Sequence, residues 1–350
     1  MKLKKQTSKI EKQLPKTNKK SSTINYQQPQ AQTHVTQTYK ELLKIKYSLL
    51  ENIKIYEKLK KKLQESQNIV IVGASFIGLE SASSIKDFLK DKINVNVVDN
   101  CKVPHERVFG DEIGQVIQKM HEQNGIKFHL KTGIQKMEDN KIYLNDGSVL
   151  EADLVLLGAG VSPNTAFAQN IDKDFLGGIK TDVFLESSQK GVFAAGDIAN
   201  YPYHFTGQRV RIEHINTSIY QGYVAALNML GKQVPVQEIP FFWTRQWNKS
   251  IHYTGYGQGF DDVFIQGDLN KLEFMAWYSI RGRVVAFAAM NKGPVAMVVN
   301  EAMKQNVLPS MQDIKEGKVN IEDIKKSVEK RGSFCKCQRM DKCCGVKAKI

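Results

Sequence analysis

The chain has 350 residues, of which 41% are hydrophobic, and it carries a formal net charge of +14. This length suits two or three modest domains with buried cores, and no apolar run approaches the roughly 18 residues of a membrane span, so we expect a soluble protein of the cytoplasm or of mitochondria. The basic charge lies at the ends, where residues 1–66 hold 16 Lys/Arg against 5 Asp/Glu and residues 330–350 hold 7 against 1, and this distribution argues against a nucleic-acid enzyme.

The first elements are predicted from composition and capping signals. Residues 1 to about 40 are rich in Lys, Gln, Ser and Thr, and they are predicted to form a disordered tail. A short strand is predicted at Leu42–Tyr47, and the capping box Ser48-x-x-Glu51 predicts a helix over about 49–65. The β-branched run IVIVG, which ends at Gly73, then predicts a buried parallel strand.

A β-α-β pattern follows this strand. It comprises a helix after Gly78, a strand ending at Asp99, a helix around Glu112–Glu122, the segment Ile126–Ile134, a hairpin that turns at Asp146-Gly147, and a buried strand within Ala152–Gly160. Strands that alternate with helices in this way predict a Rossmann-like nucleotide-binding unit over about 67–160.

The second half of the chain has a different character. GVFAAGDIA (Gly191–Ala199) is predicted to be a buried strand that ends at Gly196-Asp197, and a long helix is predicted from Arg211 to about Gly231. From Phe241 onward the pattern predicts antiparallel strands, with a turn at Arg281-Gly282 and a closing helix from Pro294 to about Gln305. This block therefore reads as an α+β domain.

The first segment that carries chemistry is the turn Gly73-Ala-Ser75-Phe-Ile-Gly78. A helix N-terminus offers free N–H groups and a partial positive charge to a pyrophosphate, and Gly73 and Gly78 allow the tight turn and close packing. Asp99 lies 21 residues past Gly78, and an acid there suits the ribose of NAD and would repel the 2′-phosphate of NADP. Ser75 takes the place of the usual middle glycine. A buried turn without a ligand is the structural alternative.

The second segment is GVFAAGDIA. The carboxylate of Asp197 could accept hydrogen bonds from a sugar-like polyol, or it could simply cap the following helix. The residues alone leave both interpretations open.

Four stretches, in order, carry a family resemblance: IVIVGASFIGLE, DLVLLGAGVSPNTAF, GVFAAGDIA and FFWTRQWNKSIHYTGYGQGFDD. Together they resemble the pyridine nucleotide–disulfide oxidoreductases, and within them the ferredoxin-reductase and apoptosis-inducing-factor group, especially its Rieske-bearing members. The resemblance covers about 43–305. It implies an NAD domain (67–157) inserted in a partial FAD domain (43–66 and 158–238), followed by a C-terminal α+β domain (239–330), with tails at 1–42 and 331–350.

The resemblance also implies an activity and a set of site residues. Hydride would pass from NADH to FAD, and single electrons would pass on to an iron–sulfur protein or another acceptor. For NADH it implies Gly73, Ser75 and Gly78 at the pyrophosphate, Asp99 at the ribose, Gly160 touching the nucleotide and Glu80 near the carboxamide. For the flavin it implies Phe76, Gly196, Asp197, Glu213, His214 and Trp243.

Each of these roles has a plainer alternative. Phe76 and Trp243 could be core aromatics, His214 a helix-start residue, and Glu80 a solvated helix charge. No Cys-x4-Cys pair occurs, which fits a direct route from flavin to acceptor.

Two other functions stay open from the sequence. Residues 1–42 contain no glycine and no apolar strand, so we expect the strand–glycine turn–helix unit that would bind the ADP half of FAD to be absent. The lysine that pairs with the glutamate at the position of Glu80 in this family is expected to be absent together with that unit. The chain could then be a flavin-less NAD-binding regulatory or scaffold protein; a basic-tailed nucleic-acid protein is a third alternative. The terminal CKCQRMDKCC could bind zinc, contact a membrane surface weakly after S-acylation, or stay an unstructured reactive tail.

Overall fold

The computed structural model describes residues 53–334. The first part of this range holds a mixed run of helices and strands: α1 (Ile53–Glu65), β1 (Asn68–Val72), α2 (Phe76–Leu89), β2 (Asn94–Asp99), α3 (Glu106–Phe109), α4 (Asp111–Gln123), β3 (Ile126–Leu130), β4 (Ile134–Glu138), β5 (Lys141–Leu144), β6 (Val149–Glu151) and β7 (Leu154–Leu157). The predicted strands and helices of this region are therefore confirmed, although α2 begins at Phe76 and not after Gly78. The strand β4 and the short helix α3 are additional elements.

A four-stranded parallel sheet in the order β3-β2-β1-β7 forms the centre of this part. The strands are buried because α2 and α4 supply apolar residues to the same core, among them Leu79, Ile113 and Ile117. Parallel strands place their carboxyl ends at one edge of the sheet, so the turns after β1, β2 and β7 lie together there. The expected Rossmann-like α/β class is confirmed.

An antiparallel sheet, β4-β5-β6, is attached to the parallel one. Its predicted hairpin turn is confirmed: Gly147 adopts a φ of +87°, and Asp146 Oδ1 accepts from the Ser148 backbone N–H at 2.9 Å. A left-handed φ of this kind favours glycine, which explains the Asp-Gly pair.

The middle segment holds short strands and one long helix: β8 (Ile179–Lys180), β9 (Ala199–Pro202), β10 (Arg209–Val210) and α5 (Ile215–Met229). The strand predicted within Gly191–Ala199 is wrong. Phe193 makes only an isolated bridge with Glu186, residues Gly196–Ile198 form a 3-10 turn, and the strand begins at Ala199. Gly191 and Gly196 have φ values of +80° and +77°, which an extended strand does not accommodate.

The long helix begins later than predicted. It was expected from Arg211, whereas α5 starts at Ile215 with His214 as its N-cap. Arg209 and Val210 instead pair with β9. Asp197 is thus separated from α5 in sequence, and it does not cap that helix.

The C-terminal part is a five-stranded antiparallel sheet followed by three helices: β11 (Phe241–Gln246), β12 (Lys249–Gly255), β13 (Asp262–Asp268), β14 (Glu273–Ile280), β15 (Arg283–Met290), α6 (Val295–Lys304), α7 (Met311–Lys315) and α8 (Ile321–Phe334). Its strand order is β11-β12-β15-β14-β13. The antiparallel strands, the turn at Arg281-Gly282 and the helix after Pro294 are confirmed.

This sheet is covered on both faces, which explains why β15 is almost continuously buried. Tyr253, Tyr278 and Ala288 join the core of the parallel sheet, whereas Trp277, Phe287 and Ala289 pack in a second core with α5 and α6. The C-terminal sheet and the Rossmann-like unit therefore share one core.

Some predictions fall outside the described residues, namely the strand at Leu42–Tyr47, the first turn of the helix at 49–65, and the cysteines of the C-terminal tail. Within the described part of the chain, no helix combines the length and apolar character needed to cross a bilayer.

Candidate functional site

Three glycines bring the ends of β1 and β7 against the start of α2. A Cβ on Gly78 would lie 1.9 Å from Gly73 O, and one on Gly73 would lie 2.4 Å from Gly158 O. A Cβ on Gly158 would in turn lie 3.2 Å from Gly78 N. Only glycine fits the first two positions, and the close backbone approach exposes the helix start at the edge of the sheet.

The N-terminus of α2 is uncapped by side chains. Ser75 is its exposed N-cap residue, with extended φ and ψ of −109° and −165°, and its hydroxyl makes no capping hydrogen bond. The first-turn N–H groups therefore keep their hydrogen-bonding capacity and the positive end of the helix dipole. Gly160 follows the neighbouring strand with a φ of +86° and nothing within 4 Å of an added Cβ. This combination leaves an open edge with the features of an anion-binding site.

Asp99 is fixed at the same edge by the backbone. Its Oδ2 accepts from Ala74 N at 2.6 Å, and its Oδ1 accepts from Cys101 N at 2.9 Å. The carboxylate therefore supports the glycine turn and also places negative charge beside it. Burial and the nearby Asp99 charge raise the pKa of Cys101 to about 12, so this thiol stays protonated at neutral pH.

Glu80 is held by the C-terminal sheet. Its Oε1 accepts from the Thr244 hydroxyl at 2.6 Å, and burial raises its pKa while the Thr244 hydrogen bond works against that rise. The side chain is partly buried. The interpretation of Glu80 as a solvated helix charge does not agree with this contact.

Phe76 lies in an aromatic junction between α2, α3 and β11. Its ring centroid is 4.4 Å from that of His105, 5.9 Å from Phe109 and 5.1 Å from Phe242. Phe242 also contacts His214, at 5.9 Å between centroids. The junction brings Phe76 and His214 together from distant parts of the sequence.

His214 and Asp197 lie near each other at the start of α5. The Nδ1 of His214 accepts from Asn216 N at 3.3 Å, which makes His214 an N-cap, as its plainer interpretation expected. Burial lowers the pKa of His214, and the charge of Asp197 opposes that change. Asp197 Oδ1 accepts from Ser218 Oγ at 2.9 Å.

The neighbouring predicted flavin residues are already engaged by the protein. Gly196 N donates to Gln221 Oε1 at 2.8 Å, and Glu213 forms an ion pair with Arg211. Arg211 also donates to the carbonyl of Asp197 at 3.1 Å. These contacts order the segment that leads into α5.

Trp243 is not part of the aromatic junction. Side chains alternate along β11, so Phe242, Thr244 and Gln246 face the Rossmann-like unit, whereas Trp243 faces away and is 58% exposed. Trp243 is therefore not a core aromatic.

The solvent side of α5 is apolar, and we call it the α5 outer face. It comprises Ile215, Ile219, Tyr223 and Met229, which are 62–69% exposed. Helical spacing places the first three on one stripe. Exposed apolar stripes of this kind are uncommon on a soluble surface.

Several residues at the site were missed from the sequence. They include Gly158, His105, Phe109, His121, Phe242, Thr244 and Gln246. The alternation in FFWTRQ could have placed Thr244 and Gln246 on the Phe242 face, but their partners on α2 and α4 are remote in sequence and required the fold. Among residues 53–334, no group of three His, Cys, Asp or Glu side chains is arranged to hold a metal.

The fold and this edge define an α/β dinucleotide-binding protein with an antiparallel C-terminal domain. The family model described as pyridine nucleotide-disulphide oxidoreductase matches residues 31–222, and the model described as reductase C-terminal matches residues 241–325. The chain belongs to the pyridine nucleotide–disulfide oxidoreductase family, in its ferredoxin-reductase type.

Known proteins support the same assignment. Apoptosis-inducing factor 3 of Mus musculus is 37% identical over 251 residues, which cover 69% of this chain and 41% of that protein. Rhodocoxin reductase of Rhodococcus erythropolis is 26% identical over 241 residues, covering 67% of this chain and 56% of that protein. The chain thus spans roughly two fifths to three fifths of these relatives.

Solved structures show the same fold. The ferredoxin reductase for the CYP199A2 system from Rhodopseudomonas palustris has a TM-score of 0.71 at 24% identity, covering 79% of this chain and 68% of that one. The water-forming NADH oxidase from Lactobacillus brevis, solved bound to NADH, has a TM-score of 0.69 at 20% identity, covering 79% and 65%. The predicted family and fold class are confirmed, and the roles of individual site residues stay predictions.

Proposed function

We propose that this chain is an NADH-dependent oxidoreductase of the ferredoxin-reductase type, which binds NAD(H) at the β1–α2 turn. The observation that carries the proposal is the uncapped N-terminus of α2, exposed beside three mutually packed glycines and the open Gly160. An anion-binding helix start at the carboxyl edge of a parallel sheet is the place where a dinucleotide pyrophosphate binds.

The residues present fit a nicotinamide dinucleotide. The first-turn N–H groups of α2 would take the pyrophosphate, with the Ser75 hydroxyl beside them. Asp99, already held by two backbone N–H groups, would accept from a ribose hydroxyl, and its charge favours NADH over NADPH. Glu80 would accept from the carboxamide.

The fit to flavin is partial. Phe76, Asp197, Glu213 and His214 lie around the aromatic junction and the start of α5, where the family resemblance expects the flavin ring and ribityl chain. Among the described residues, only β1–α2 is a strand–glycine turn–helix unit, so a second such cradle for the ADP half of FAD is not found in that range. Flavin, when bound, supplies the conversion of a hydride into single electrons.

The electron acceptor is proposed from the relatives. Several of them are named as ferredoxin reductases, and one solved relative is a covalent complex of putidaredoxin reductase with putidaredoxin. We therefore propose a ferredoxin-type iron–sulfur protein as the acceptor of this chain.

A second candidate function is a flavin-less NAD-binding regulatory or scaffold protein. The single dinucleotide cradle among the described residues favours it. It shares the NAD(H) site with the first candidate and differs in having no electron-transfer chemistry.

Two measurements on the purified full chain separate the candidates. The visible absorption spectrum reports bound flavin, and titration with NADH reports the nucleotide site. Flavin absorbance that NADH bleaches supports the oxidoreductase, and saturable NADH binding by a colourless protein supports the regulatory candidate. Failure to bind NADH at all would contradict both.

A further inference from the structure

A continuous hydrogen-bond chain crosses from the C-terminal sheet to Glu80. Trp247 Nε1 contacts His121 Nδ1 at 3.1 Å, and His121 Nε2 contacts Gln246 Oε1 at 2.8 Å. Gln246 Nε2 contacts Thr244 Oγ1 at 3.1 Å, and the Thr244 hydroxyl contacts Glu80 Oε1 at 2.6 Å. The chain joins α4, the β11–β12 hairpin and α2.

The two ends force the direction of every hydrogen bond in this chain. An indole N–H can only donate, so His121 Nδ1 must accept from Trp247 and His121 Nε2 must carry the proton. Gln246 then accepts at Oε1 and donates from Nε2, which leaves the Thr244 proton free to donate to Glu80. An ionised carboxylate can only accept, so the far end agrees with this direction.

Burial protects the chain from competing water. His121, Thr244 and Gln246 are 0%, 2% and 3% exposed. Burial also lowers the pKa of His121 to about 4, so at neutral pH the imidazole keeps the single proton that the chain requires. Hydrogen bonds aligned in one sense in a buried environment strengthen one another.

His105 agrees with the same arrangement. Its Nε2 is 3.5 Å from Gln246 Nε2, whose second N–H can donate to it. The lone pair of His105 Nε2 then faces the chain, and the buried Nδ1 has no hydrogen-bond partner among the described residues. Reversing the Gln246 amide would move the His121 proton to Nδ1, where it would oppose the Trp247 indole N–H.

Glu80 is the end of the hydrogen-bond chain, and its carboxyl group is open to a ligand. Its Oε2 makes no hydrogen bond with a described residue, whereas its Oε1 is engaged by Thr244. On the other face of β11, Arg245 is exposed and points away. Other charged groups on elements packed against α2 are Asp99 on β2, Glu106 and Arg107 on α3, and the 3-10 turn residues 90–92. Within residues 53–334, none of these groups forms an ion pair with Glu80.

We propose that the chain from Trp247 to Thr244 positions Glu80 as a hydrogen-bond acceptor for the carboxamide N–H of nicotinamide, an inference that rests on the proposed function. The hydrogen-bond chain makes the site selective for a carboxamide over a carboxylate in the same place, because an ionised Glu80 attracts a carboxamide N–H and repels a carboxylate. Thr244 is thus a positioning residue, since it acts on the nucleotide only through Glu80.

The test compares two ligands on the full chain, NADH and reduced nicotinic acid adenine dinucleotide, which carries a carboxylate in place of the carboxamide. The ratio of their dissociation constants cancels general losses of affinity. We expect Thr244→Val to lower the preference for NADH about tenfold, and to raise the pH at which half of that preference is lost by about one unit. The sign follows because the lost hydrogen bond stabilised the ionised form of Glu80.

Matched variants separate the effect of the Thr244 hydroxyl from the general effect of a substitution. Thr244→Ser keeps the hydroxyl and should behave as the wild type. Thr254→Val makes the same chemical change at a buried threonine of β12 that bonds to Pro240 O and Asn300 instead, and it should leave the ratio unchanged. Trp247→Phe removes the donor that sets the direction, and it should shift the ratio in the same sense as Thr244→Val but less.

The outcomes separate the inference from the proposed function. A wild type that binds neither nucleotide overturns the proposed function, and the inference with it. A wild type that prefers NADH, with a ratio and pH midpoint that Thr244→Val and Trp247→Phe leave unchanged, overturns the inference alone.

Discussion

Glu80 on α2 and Thr244 on β11 are 164 residues apart in the sequence, and their side chains are joined by a hydrogen bond of 2.6 Å. This contact ties the dinucleotide-binding half of the molecule to its C-terminal domain at the point where both meet the aromatic junction. It also places β11 of the C-terminal sheet beside Glu80, a proposed residue of the candidate nucleotide site.

The charge of Asp99 should set the choice between NADH and NADPH. We expect Asp99→Arg to shift the ratio of the two dissociation constants toward NADPH by about tenfold or more, because a positive side chain attracts the 2′-phosphate. Overall affinity should fall as well, since Ala74 N and Cys101 N lose their acceptor. Fluorescence titrations with both nucleotides measure this ratio, and identical ratios before and after the change would remove Asp99 from the site.

The packing of the three glycines predicts a large loss of stability on substitution. Gly78→Ala would put a Cβ 1.9 Å from Gly73 O, and we expect it to lower the free energy of unfolding by about 3 kcal/mol or more. Gly222→Ala is the control, because nothing lies within 4 Å of its added Cβ in α5 and alanine favours a helix by about 1 kcal/mol. Urea denaturation of both variants checks this. Equal stability of Gly78→Ala and the wild type would mean that the turn is not packed as described.

Two buried histidines predict acid sensitivity. Burial lowers the pKa of His105 to about 3, aided by the nearby His121, and burial lowers that of His121 to about 4. An unfolded histidine titrates near about 6.5. Between about pH 6.5 and about pH 4 the unfolded chain therefore binds protons that the folded protein does not, so stability present above this window is lost as the pH falls through it.

The expected slope is about 1.4 kcal/mol per pH unit for each histidine. His105→Asn suits the left-handed backbone there, with a φ of 55°, and removes one titration, so the slope should fall by about 1.4 kcal/mol per pH unit. Chemical denaturation at about five pH values between pH 4.5 and 6.5 measures this slope of the free energy of unfolding against pH. An unchanged slope would show that His105 is protonated in the folded state.

The exposure of the α5 outer face can be tested by stability. Tyr223 is 63% exposed and the adjacent Val224 is 1% exposed. We expect Tyr223→Ala to change the free energy of unfolding by less than about 0.5 kcal/mol, whereas Val224→Ala should cost about 2 kcal/mol. A loss of comparable size at both positions would show that this face is covered in solution.

Local sequence patterns predicted most of the regular elements. The apolar runs at Ile69–Gly73 and Ala152–Gly160 and the Asp146-Gly147 turn each carry a strong local signal, so their strands and hairpin are confirmed. GVFAAGDIA failed because two glycines with positive φ interrupt an apolar run that otherwise favours a strand.

The residues of the candidate site also divide into those that a local sequence pattern predicts and those that only the fold brings together. The glycine turn and Asp99 are local features of one βαβ unit, so spacing alone placed them. Thr244, Gln246 and His121 become neighbours only when β11 packs on α2 and α4, and no local pattern contains that information. The α2–β11 contact was therefore visible only in the fold.

The exposed start of α2 is the proposed anion site, and a paired NADH titration of the wild type and Ser75→Asp tests that role directly. An aspartate there would cap the helix, keeping or raising its melting temperature, while its charge opposes a pyrophosphate. We predict saturable binding by the wild type and binding at least about tenfold weaker by Ser75→Asp. No saturable binding by the wild type, or equal binding by both proteins, would contradict this role for the start of α2.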